Sequence, residues 1–172
     1  SNGNMPRSCQ ATARALMTLL EEKRADAERQ FAGHAVRLPV DAFQEARSAL
    51  EALPLDDLGF EQVLDGFVAT YRRGRKLFAE VSDADVEDER YHDLRKEVQQ
   101  HWRHLQLLCN AWPKALRPQI ALAHELAEAL GRDHDLSVLS AFVRDNAGRI
   151  GEGRGVDAYL QLCASSQRKL RA

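Results

Sequence analysis

The chain has 172 residues, 44% of them apolar and 29% charged, with a formal net charge of −2. That length supports one domain with its own core, and so balanced a charge excludes polyanion binding by bulk positive charge, so any anion site must be a local cluster. No apolar run approaches the ~18 residues of a membrane span, and three distant cysteines (Cys9, Cys109, Cys163) argue against a disulfide framework and for a reducing cytoplasm.

Ser1 to Asn4 ahead of Met5 read as an expression remnant, which makes residues 1–9 a flexible start and 10–172 a single domain. Leucine and alanine outnumber β-branched residues, which favours helix. Ala13, Leu16, Leu20, Ala27 and Phe31 recur at helical spacing and predict a first helix over about 10–31. Gly33 and Pro39 break it. Asp41 with Gln44 forms a capping-box pattern that starts a helix to about Leu53, where Pro54 stops it. A third helix is expected over about 57–81, with Phe60, Leu64, Phe67, Tyr71, Leu77 and Phe78 inward. The acidic connector 82–89 suits a helix N-terminus. A fourth helix is expected over about 86–112, closed by Pro113. Pro118 marks the start of a fifth, which Gly131 ends or kinks. The glycines between Gly148 and Gly155 predict a loop, and a last helix covers about 156–171. No alternating strand pattern competes, so the class is all-α, an antiparallel bundle of long helices.

The fourth helix carries most of the chemistry. Tyr91, Leu94, Val98, His101, Trp102 and Leu105 fall on one face, while His92, Arg95, Lys96, Gln99, Arg103 and Gln106 form a cationic, hydrogen-bonding ridge on the other. The bland alternative is a solvated face with i, i+4 ion pairs, but Asp93 and Glu97 are expected to point away from the ridge. A second ridge, Arg72, Arg75 and Lys76 beside Arg73, lies on the third helix. If the two helices are antiparallel neighbours, the ridges face each other across a groove where guanidinium forks and lysines meet phosphate oxygens. His101 reads as a core histidine. His101 and His104 are i, i+3 apart but are not expected to bind metal, and Asp133-His134-Asp135 reads first as helix capping and second as metal or acid–base chemistry. The glycines at 151, 153 and 155 lack the strand and the lysine of a P-loop.

Taken in order, Tyr71-Arg72-Arg73-Gly74-Arg75-Lys76, His92-Asp93-Leu94-Arg95-Lys96, His101-Trp102, His104-Leu105, Leu130-Gly131 and Asp133-His134-Asp135-Leu136 with Val138-Leu139 resemble the conserved histidine α-helical domain, or CHAD, family. The match covers about 71–142 and resembles the second of the family's two histidine-bearing repeats with the helices leading into it. The resemblance implies paired four-helix bundles with basic surfaces lining a groove, binding of inorganic polyphosphate, and association with a triphosphate tunnel enzyme. It implies a binding set of Arg72, Arg73, Arg75, Lys76, His92, Arg95 and Lys96, to which the ridge on the fourth helix adds Arg103; no cofactor, metal or catalysis is expected. Gln99 stands where family members often carry lysine, and no earlier His-x-x-Arg-Lys element precedes Tyr91. The chain is therefore expected to be either a fragment or a half-domain that pairs with a second copy, bringing two Arg95-Lys96 ridges together around the anion. The competing expectations are a helical scaffold with solvated basic faces and a metal-dependent phosphohydrolase built on Asp133, His134 and Asp135.

Overall fold

The computed structural model describes residues 7–33, 40–54, 59–82, 87–151 and 153–171. Of the expected flexible start 1–9, residues 1–6 lie outside them, whereas Arg7 to Cys9 are helical and Cys9 is buried, so the first helix begins earlier than expected. The break around Pro39, the third helix's expected start at Asp57 and residues 83–86 of the acidic connector also lie outside. The described residues are all-α: α1 (Arg7–Gly33), α2 (Val40–Glu51), α3 (Phe60–Ser82), α4 (Asp88–Leu108), α5 (Pro113–Asp145), α6 (Ala147–Ile150) and α7 (Arg154–Arg171).

The largest departure from expectation is α5. Pro113 opens this helix instead of only closing α4, because a first-turn residue has no intrahelical N–H bond to lose. Pro118, expected near the helix start, sits a turn inside, where it removes only one early bond. The helix then runs unbroken through Gly131, so α5 is a single rod of ~50 Å. Part of the expected glycine loop is the short helix α6, followed by a turn in which Gly151 and Gly153 take positive φ of 136° and 66°.

Cross-helix contacts fix the register. Phe60 meets Trp112, Phe67 meets His101, Arg73 meets Glu97 and Tyr91 donates to the carbonyl of Val81, so α3 and α4 are antiparallel. Trp102 meets His124, His92 meets His134 and Asp88 accepts from Ser137, so α4 and α5 are antiparallel too. Two cores result. Leu94, Val98, Ala127 and Leu130, with Leu77 and Val81, join α3, α4 and the first part of α5. Leu16, Leu19, Val143, Ile150 and Val156 join α1, the far end of α5, α6 and α7. The expected inward face of α3 is only partly right. Leu77 packs and Phe67 is half-buried, but Phe60, Leu64, Tyr71 and Phe78 stay exposed. Only one side of α3 meets α4, and among the described residues no other helix packs substantially on its other side.

Candidate functional site

The seam between α4 and α5 gathers the histidines. Along one side α4 presents His92, Arg95 and, two turns further on, Trp102, and α5 answers with His134, Gly131 and His124 in step. The His92 and His134 rings stack with centroids 4.7 Å apart and planes 29° from parallel. Trp102 lies against His124 at the same separation, tilted by 51°. Between these pairs Gly131 faces the Arg95 guanidinium, and a methyl added there would lie 3.9 Å from Nε. His92 Nδ1, Arg95 Nε and Trp102 Nε1 are enclosed without a hydrogen-bond partner among the described residues. Three more such atoms, Glu97 Oε2, His101 Nδ1 and His104 Nδ1, lie on the same helix. Unsatisfied polar side chains therefore concentrate on α4, where each costs stability unless something meets it.

The seam is electropositive. Desolvation first, then the charges of Lys96, His134 and Arg95, hold the His92 imidazole below its usual pKa against the opposing pull of Asp93. No acid lies within ion-pair distance of Arg95 or Arg103 among the described residues, and Arg103 projects to solvent. Lys96 does not stand alone as the sequence suggested: its Nζ meets Asp93 Oδ1 at 3.1 Å. An i, i+3 pair brings the two tips together although their Cα–Cβ vectors diverge.

The expected groove between the α3 and α4 ridges is not what the helices make. Arg73 Nε bonds Glu97 Oε1 at 2.9 Å, and its Nη2 reaches Thr70 Oγ1 at 3.2 Å. Glu97 lies on the α3 flank of α4, while Arg95, two residues earlier, turns to α5. The two basic ridges therefore lie on different flanks of α4, because residues two apart on a helix point ~200° apart. Arg72, Arg75 and Lys76 are exposed on α3, with Lys76 3.9 Å from Glu80.

His101 is half-buried between Phe67 and Tyr71, at centroid distances of 4.8 and 5.3 Å. Burial, followed by the charge of His104, holds its pKa below the usual value. Asp133 is not a helix cap. It is a buried mid-helix residue whose two carboxylate oxygens accept from Arg171 Nε and Nη2 at 2.7 and 2.8 Å. Arg171 also bonds Asp88 at 2.7 Å and stacks 3.9 Å from the Tyr91 ring centre. Asp133 is thus committed to an ion pair, and among the described residues no trio of His, Cys, Asp or Glu is placed to hold a metal ion. No described helix is long and apolar enough to cross a membrane.

Sequence reasoning missed His134 and His124 as partners of the α4 ridge. The signal was present in the seven-residue spacing of His124 and Gly131, but it is readable only if α5 continues through Gly131. A family model described as CHAD domain matches residues 3–144. No curated protein and no solved structure showed significant similarity.

Proposed function

Because the chain belongs to the CHAD family, whose domains are associated with polyphosphate binding, we propose that it binds inorganic polyphosphate without catalysis along the outer seam of α4 and α5. The observation that carries this reading is the His92–His134 stack, set beside an Arg95 that has no acid partner among the described residues. Imidazoles from two helices are brought together there beside the Arg95 guanidinium, an arrangement in which an anion favours the protonated rings. Lys96 and Arg103 extend the cationic line outward, and Lys96 must exchange its Asp93 contact for phosphate. The path is lined by point charges and imidazoles, suited to repeated phosphates and carrying no means of reading a base. Arg72, Arg75 and Lys76 lie on the other flank and serve at most as distant attraction.

Titration calorimetry with long-chain polyphosphate tests this. Binding should weaken steeply between about 50 and 200 mM salt, as counterion release requires. Arg95→Ala and His134→Ala should each weaken it about tenfold or more, and Arg72→Ala with Arg75→Ala only slightly. Unchanged affinity in the seam variants would return the chain to a scaffold with solvated faces. Loss confined to the α3 variants would move the site to α3.

A further inference from the structure

The structure leaves two complementary apolar surfaces unfilled in one chain. The first is α2, which has no buried residue and makes no substantial contact with another helix among the described residues. Phe43, Ala46 and Leu50 recur at i, i+3 and i+7, one stripe of ~10 Å along the helix, and Leu53 follows just past its end. Phe43 and Leu50 are 66% and 64% exposed. The second is a groove between α3 and α5. Both helices pack on α4 and make no substantial contact with each other, so Leu94 and Val98 form the floor of an open trough. Its walls are apolar, with Tyr71 and Phe78 on α3 and Leu126 on α5. Leu122, one turn before Leu126 on α5, adds further apolar surface at 60% exposed. Helix in groove is a recurrent way to fill such a trough.

We propose that the groove takes α2 of a second copy of this chain, giving a two-fold dimer with two reciprocal α2–groove contacts. Two observations single out this occupant. The first is charge. Asp41 and Glu45 on α2 have no ion pair among the described residues, and neither do Arg72 and Arg75 beside the groove, so an acidic helix meets a basic rim. The second is area. Val40, Phe43, Leu50 and Leu53 on one surface, and Tyr71, Phe78, Leu122 and Leu126 on the other, are all substantially exposed. At on the order of 100 Å² each, a two-fold pair removes roughly 1,600 Å² from water, the size of a standard stable interface. Reciprocity follows because each chain offers both halves and engages neither. This pairing leaves the α4–α5 seam outside the interface, so it differs from one that sets two Arg95-Lys96 ridges face to face, and it is independent of the polyphosphate reading.

Sedimentation of the full chain without polyphosphate, between about 1 and 100 µM, reads the result. The mass should rise from one chain to two. Phe43→Gln with Leu50→Gln should shift that rise at least tenfold upward in concentration, and so should Phe78→Gln with Leu122→Gln. These residues are exposed in the monomer, so circular dichroism and melting of the separate variants should match the parent at about 1 µM, where all are monomeric. An equal mixture of the two variants restores one intact α2–groove contact and should associate more than either alone. A parent that stays monomeric throughout overturns the proposal. So does a dimer indifferent to both variants, or a mixture no more associated than its components. A monomer that both variants destabilise equally would mean that each chain seats its own α2, which also overturns it.

Discussion

His92 and His101 show how little of a side chain's chemistry resides in its type. Both imidazoles are held below their usual pKa by desolvation, His92 additionally by Lys96, His134 and Arg95 and His101 by His104. For a histidine whose folded pKa lies below its unfolded ~6.5, the neutral form is favoured by folding. That stability is complete above pH 6.5 and is lost as pH falls through 6.5 towards the folded value. Melting temperatures should therefore fall between pH 7.5 and 5. Polyphosphate reverses the local balance by favouring the charged imidazole at His92. Its affinity should rise as pH falls from 8 and keep rising below 6.5, where an unshifted histidine would level off. Comparing titrations at pH 8, 6.5 and 5.5 for the parent and His92→Ala checks this. An identical trend in the variant would place the responsible proton elsewhere.

At the scale of elements, α5 decides the site. Because it continues through Gly131, His124 and His134 lie on one rod against α4 and align with Trp102 and His92. Glycine was expected to end or kink this helix, and its helical cost is real, about 0.5–1 kcal/mol relative to alanine. Packing on both sides outweighs it. The methyl of Gly131→Ala would make ordinary contact with Arg95 Nε, so the substitution should stabilise the fold by about 0.5–1 kcal/mol, read by urea titration. A loss of stability would show that α5 needs glycine there for approach to α4. The half-exposed α3 makes the converse point. Periodicity located its apolar residues correctly, but a helix apolar over a wide arc needs two neighbours, and among the described residues only α4 packs substantially on it.

At the scale of the whole molecule, two cores share one long helix, and Arg171 ties them. From the end of α7 its guanidinium bridges Asp133 on α5 and Asp88 at the start of α4, and it covers the Tyr91 ring. The two carboxylates hold the Arg171 pKa above its usual value, and the same bonds lower that of Asp88. Removing the guanidinium strands the Asp133 carboxylate, whose side chain is 4% exposed. Arg171→Ala should cost about 2–3 kcal/mol, below the usual loss for a fully buried pair because Arg171 is partly open to solvent. Arg171→Lys should recover little, since a single ammonium cannot satisfy both carboxylates in a fork. Thermal unfolding of the two variants distinguishes a fork from a simple charge.

The class, the helices and the family were legible in the residues themselves. Helical periodicity, capping and the scarcity of β-branched residues act locally, and the His92-to-Lys96 and Gly131-to-Leu136 motifs are contiguous. Partners across helices were not legible. The rotation of α4 about its axis sets whether Arg95 faces α3 or α5, and that rotation is fixed by how Leu94 and Val98 pack against Ala127 and Leu130. Asp133 read as a cap because its salt-bridge partner lies 38 residues away in sequence. Local physics chose the helices; only packing between them decided which charges meet.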